Sequence, residues 1–155
     1  MNDEQKIEKL KSMADPAAVA HPAPHRIFVG VEPGKLVALI GRMKAELDQW
    51  YVATISGVDK GESYEILYHF GDTSGSITVR TKIPKADPRL PSICGVIPGA
   101  VLYERELQDM FGIVVDGIPD PRPMLMPDDW PAGNFPLRKE WKFERPAEVI
   151  PGGKK

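Results

Sequence analysis

The chain has 155 residues, 42% of them hydrophobic and 27% charged, with a formal net charge of −2. That length suits one domain with an appended segment, and that charge supplies no overall positive field to gather nucleic acid or an anionic membrane surface. A single cysteine, Cys94, excludes an internal disulfide and fits a reducing compartment.

In chain order, "MNDEQKIEKLKSM" lacks the apolar stretch of a signal peptide. Ile7, Leu10 and Met13 recur at helical spacing, so a short first helix is predicted. "HPAPH" reads as an irregular linker, and "RIFVGV", with Ile27, Val29 and Val31 alternating, as a strand. Pro33 suits a first helical position, and Leu36, Leu39, Ile40, Met43, Leu47 and Trp50 follow at three- and four-residue steps.

Three strands are predicted next. "YVATISGV" runs to a turn at Asp59–Gly61, and "SYEILYHF" places Tyr64, Ile66, Tyr68 and Phe70 on one face, with His69 toward solvent. "SITVRTKI" supplies Ile77, Val79 and Ile83 to match, with Arg80 and Lys82 outward, and "GDTSG" reads as a five-residue hairpin loop. The apolar run Ile93–Tyr103 is broken by Pro98 and falls far short of the roughly 20 residues of a membrane span, so the chain is expected to be soluble by itself. The order predicts an α+β fold: an antiparallel or mixed sheet with helices packed on one face, followed by a Pro-rich extended C-terminal arm. The expected divisions are a helix and linker over 1–25, the α+β domain over 26–112 and the arm over 113–155.

A further helix is predicted near Gly99–Phe111, ended by Gly112 in a left-handed conformation. Ala100, Tyr103, Leu107, Met110 and Phe111 form its apolar stripe, which leaves Glu104, Arg105, Glu106, Gln108 and Asp109 for the remainder. Glu106 and Asp109 sit toward the C-terminal end, where the helix dipole disfavours each carboxylate by roughly 0.3–1 kcal/mol. An Arg105–Asp109 pair one turn apart returns only about 0.2–0.5 kcal/mol. A partner outside the helix is therefore expected, with Arg138 and Lys139 available.

Chemistry-bearing motifs are scarce. One cysteine cannot ligate an iron–sulfur cluster, and His21, His25, His69 and Cys94 lack zinc-site spacing. There is no phosphate-binding glycine loop and no nucleophile–base order. Glu104, Glu106 and Asp109 could serve a small free-standing hydrolase as acid and base, but they point in different directions around the helix. An RNA-binding α+β module is the other alternative, opposed by the charge and the missing aromatic–basic strand motif.

The chain carries sixteen prolines, about double the usual share of roughly 5%. Between Ile118 and Pro136 they preclude helix and sheet, yet the same region bears Met124, Leu125, Met126, Trp130, Phe135 and, just beyond, Trp141. Disordered tails are poor in such residues, whereas interface cores are rich in them. Docking against a partner, or along its own domain, is therefore expected over disorder. Since the entropy of ordering nearly cancels what a small domain returns, the arm is expected to be ordered only with its partner.

"ERELQDMFGI", "PDPRPMLMPDDW" and "FPLRKEW" together resemble the signature of the 30-kDa family of complex I, the C subunit of NADH dehydrogenase, which includes the related subunit of energy-converting membrane-bound nickel–iron hydrogenases. Ile118 stands where many members have histidine, and Pro123 follows Arg122 where many have a second arginine. The "MPDDWPAGNFPLRK" segment is more similar to the hydrogenase and archaeal branches than to the mitochondrial one. The resemblance implies a non-catalytic subunit without a cofactor of its own, peripheral on the cytoplasmic side of the cell membrane and touching the membrane only through its complex. Implied partners are the large 49-kDa-type or hydrogenase large subunit, at the quinone or nickel–iron site, and iron–sulfur subunits; nucleic acid is not among them. Glu104, Arg105, Asp109, Arg122 and Arg138 are the expected interface charges, and Trp130, Phe135 and Trp141 the expected apolar anchors.

Overall fold

The computed structural model describes residues 1–142. Helix α1 (Asp3–Met13) opens with a reciprocal cap, in which Asn2 Oδ1 accepts from the Gln5 N–H and Gln5 Oε1 from the Asn2 N–H. The predicted linker is in part a strand, β1 (Val19–Ala23), paired antiparallel with β2 (Arg26–Gly30). Pro22 is compatible with it because β1 is an edge strand, where a missing N–H costs no ladder bond. Helix α2 (Pro33–Leu47) has Pro33 at its first position and ends at Asp48, whose φ is +55°. Trp50 therefore lies beyond the helix and is 56% exposed, not part of its apolar stripe as predicted.

Strands β3 (Val52–Asp59), β4 (Ser63–Asp72) and β5 (Gly75–Pro84) form the antiparallel meander. Asp72 pairs with Gly75, so the β4–β5 connection is two residues, shorter than the five predicted. Asp72 shapes it by accepting from both the N–H and the hydroxyl of Ser74. β2 joins β5 in parallel, which gives the mixed order β1-β2-β5-β4-β3. Tyr64, Ile66, Tyr68 and Phe70 of β4 and Ile77, Val79 and Ile83 of β5 are buried on one face with Ile27 and Val29 of β2. Leu10 of α1, Leu36, Ile40 and Met43 of α2, and Leu107 and Phe111 of α3 (Val101–Phe111) belong to the same core, so all three helices pack on that face. Burying such side chains contributes about 1.5–3 kcal/mol each.

After β5 the chain forms β6 (Arg89–Pro91), enters α3, and returns as β7 (Val114–Asp116), parallel to β6. From Ile118 to Lys142 there are turns but no helix or strand, as the prolines require. His69 lies on the helix-free face, half-buried, with Nδ1 3.0 Å from Thr78 Oγ1.

Candidate functional site

The predicted site residues converge on α3 and the arm that folds over it. Gly57 of β3 makes room for α3: a Cβ there would stand 2.6 Å from Phe111 and 3.1 Å from Leu107. Phe111 meets Tyr64 edge-on at 5.6 Å, and Tyr103 Oη donates to Ala53 O. Tyr103, Met110 and Phe111 thus pack the helix on its own domain.

Glu104 departs from the interface role expected of it. It is fully buried, and its carboxylate accepts from Ser92 Oγ (2.6 Å), Ile93 N (2.7 Å) and Cys94 Sγ (3.2 Å). It fastens the segment before α3 to the helix and offers no charge to an interface. Burial pushes the Cys94 thiol up to about 11, with Ser92 opposing and the Glu104 carboxylate adding to it, so Cys94 is an inert core residue.

Arg105 and Asp109 do not form the predicted pair. Arg105 Nε donates to Arg122 O (2.7 Å) and Nη2 to Pro123 O (2.9 Å), while Nη1 reaches Asp120 at 3.3 Å. Asp109 Oδ2 accepts from Met124 N and Leu125 N, each at 2.8 Å. The Arg122 side chain forks onto Asp120, makes no bond to the helix and is 80% exposed. That fork holds the Asp120 carboxyl well below the usual range, against the small cost of its burial and with further help from Arg105.

The C-terminal end of α3 is capped by the arm. Leu137 N donates to Met110 O and Arg138 Nε to Phe111 O, which satisfies carbonyls that the helix itself leaves unpaired and places a cation at the negative end of its dipole. The expected partners of Arg138 and Lys139 are carboxylates of the helix; Arg138 meets its backbone instead. Gly112, at φ +68°, lets this happen: a Cβ there would lie 2.4 Å from Phe135 and 2.6 Å from Arg138 Nη2. The Arg138 guanidinium sits 4.2 Å from the Phe135 ring centroid and 5.9 Å from that of Tyr64. Trp130 and Trp141 lie 6.1 Å apart, and Trp130 Nε1 donates to Asn134 O.

A latch assembled from distant parts of the chain closes the arrangement. Asp59 Oδ2 accepts from Lys85 Nζ (2.7 Å) and Lys139 N (2.9 Å), Oδ1 accepts from Gly61 N, and Lys85 also reaches Glu140 at 2.6 Å. Burial raises the Asp59 carboxyl, but Lys85 and the two N–H groups outweigh it and hold it at about 2. Only the turn at Asp59–Gly61 is visible in sequence, because the other partners lie 26 and 80 residues away. The arm, expected to order only against a partner, is thus seated on its own domain through Lys142; the remainder of 113–155 lies outside the described residues.

Among the described residues, no group of three or more His, Cys, Asp or Glu side chains could hold a metal ion. No described helix is long and apolar enough to cross a membrane.

The chain matches the family described as "Respiratory-chain NADH dehydrogenase, 30 Kd subunit" over residues 29–147. It is 37% identical over 118 residues to the C subunit of NADH-quinone oxidoreductase from Chloroherpeton thalassium, covering 74% of this chain and 48% of that one. It is 38% identical over 119 residues to the C/D subunit of NADH-quinone oxidoreductase from Methylococcus capsulatus, covering 68% and 20%. The chain thus spans about half or less of the length of these relatives. Among solved structures it resembles a chain of the membrane-bound sulfane sulfur reductase, an archaeal respiratory membrane complex, with a TM-score of 0.78, 25% identity, and coverage of 90% and 85%. The match runs from the end of β2 through the meander and α3 into the arm, and the chain belongs to the respiratory-chain NADH dehydrogenase 30 Kd subunit family.

Proposed function

We propose that this chain is a non-catalytic subunit in the hydrophilic arm of a membrane-bound, ion-translocating oxidoreductase related to complex I. In this reading it docks on the large subunit of the quinone or nickel–iron site and sits on the cytoplasmic side. The observation that carries the reading is the seated arm, which displays Arg122, Leu125 and Leu137 at the surface of a domain without a ligand set among its described residues. Leu125 and Leu137 are each about half exposed, and their backbone N–H groups are bound at adjacent residues of α3, Asp109 and Met110. The Methylococcus capsulatus relative supports the choice of partner, since its name joins C and D in one chain.

Iron–sulfur clusters, and a nickel–iron centre where there is one, belong in this reading to neighbouring subunits. Of the three carboxylates that a free-standing hydrolase would use, Glu104 is engaged with the 92–94 segment and Asp109 with the arm backbone, which leaves Glu106 without either as an acid–base partner.

The test is purification of the tagged chain from membranes of its own host, followed by cross-linking and mass spectrometry. A large subunit is expected in stoichiometric amount, with cross-links to residues 120–142. A chain recovered alone from intact membranes would refute the assignment.

A further inference from the structure

The face of the five-stranded sheet that carries no helix has a charge opposite to that of the whole chain. Alternation along the strands places Arg26 and Phe28 of β2, Thr78, Arg80 and Lys82 of β5, and Glu65, Leu67 and His69 of β4 on that face. Its strand residues include three cations and one carboxylate, Glu65, and Lys60 from the β3–β4 turn adds a fourth cation by reaching Glu65 at 3.5 Å. Glu65 is 4% exposed and already held by Arg80 and Lys60. Burial raises the Glu65 carboxyl, but Arg80 and Lys60 prevail and hold it low, so it stays a carboxylate consumed by its neighbours. Arg26 and Lys82 are exposed, and neither side chain makes an ion pair or hydrogen bond with the described residues.

A cleft borders this face and reaches from it to α2. It has a volume of about 720 Å³ and opens beside Phe28, Arg80 and Lys82. Its floor includes the small residues Ala18, Ala20 and Gly30. On its far rim stands Lys35 of α2, whose loose 3.8 Å pair with Glu32 is between two well-exposed side chains and so holds it weakly. The floor is kept low by close packing, since a Cβ on Gly30 would already touch Ala18 at 3.4 Å. The Arg80 guanidinium lies 5.5 Å from the centroid of Phe28, so the cleft pairs an aromatic surface with a lining of four cations, Lys35, Arg42, Arg80 and Lys82, against three carboxylates, Asp15, Glu32 and Glu65.

We propose that this cleft and the basic sheet face receive an acidic segment of a neighbouring subunit, with carboxylates against Lys82 and Lys35 and an apolar side chain against Phe28 and the alanine floor. The inference rests on the assembly reading above, but concerns a surface apart from the arm. Charge complementarity selects the occupant. A second copy of the chain, which also carries exposed acids such as Asp128 and Asp129, is the competing occupant, and the identity of the cross-linked partner separates the two.

Carbodiimide cross-linking of the native complex tests it, because that reagent joins only a lysine and a carboxylate in contact. Lys82 should be found joined to an Asp or Glu of another subunit. In addition, the Lys35→Glu, Lys82→Glu double variant should lower recovery of the complex by at least about tenfold. Both side chains are solvent-exposed, so the isolated variant should melt within about 2 °C of the parent chain. Absence of a Lys82 cross-link to another subunit in an intact complex would overturn the inference and leave the assembly reading standing. So would a Lys82 cross-link only to a second copy, retention of nucleic acid on this face, or undiminished recovery of the double variant. Failure to find any complex with the parent chain would overturn both.

Discussion

Arg105 and Asp109 stand one helical turn apart and ignore each other. Arg105 donates to the carbonyls of Arg122 and Pro123, and Asp109 accepts from the N–H groups of Met124 and Leu125. Two side chains of opposite charge thus hold four consecutive residues of a segment whose prolines deny it any ladder. Hydrogen bonds to charged groups contribute roughly 1.5–3 kcal/mol each, several times an exposed pair within the helix.

Hydrogen exchange on the isolated chain should therefore show the amides of Met124, Leu125, Leu137 and Lys139 protected without any partner. Asp109→Ala should release the first two by about tenfold or more and leave the last two protected. Free exchange at all four in the parent chain would mean that the arm orders only on assembly.

Glu104→Ala should destabilise the isolated domain by roughly 3 kcal/mol or more, because two buried donors and the half-buried Ser92 hydroxyl lose their acceptor together. Glu104→Gln, which keeps an oxygen for the Ile93 N–H, should cost less. Urea denaturation reads both. A loss confined to complex assembly, with no change in denaturation midpoint, would return Glu104 to the interface.

Gly112→Ala should cost at least about 2 kcal/mol, since it combines a strained left-handed backbone with a Cβ directed into Phe135. Adding Phe135→Ala should relieve the steric part and leave the backbone part, which a double-mutant cycle by thermal melting would resolve.

The Asp59 latch predicts an acid-labile arm. Its carboxyl is held at about 2 in the folded chain against an ordinary 3.8, so its contribution is fully present above about pH 4. It is lost as the pH falls from about 4 through 2, when a proton displaces Lys85 and the Lys139 N–H. Melting temperature against pH should fall more steeply across that window in the parent chain than in Asp59→Asn.

Elemental analysis and absorption spectra of the purified chain should give no stoichiometric iron, nickel, zinc or flavin. One firmly held metal per chain would contradict the proposed division of labour between subunits.

Local periodicity by itself determined the strand–helix–meander order, the buried row Tyr64, Ile66, Tyr68 and Phe70, and the stop at Gly112, because each is written within a few residues. The family was legible for a related reason: its signature lies on two contiguous stretches, α3 and the arm. Where the arm's partners sit was another matter. The apolar and charged character of its residues said that they must be covered, and left open whether by another protein or by this one. Glu104 and Asp109 are both acids on one short helix, yet one is sealed in the core and the other holds a loop. Only the tertiary structure separates them, since the donors that each satisfies lie 10 to 16 residues away and come within reach only through the packing of α3 on β3 and the turn at Gly112. Asp59 makes the point most sharply: a turn residue in sequence, it becomes the anchor of the arm because Lys85 and Lys139, 26 and 80 positions on, are folded against it.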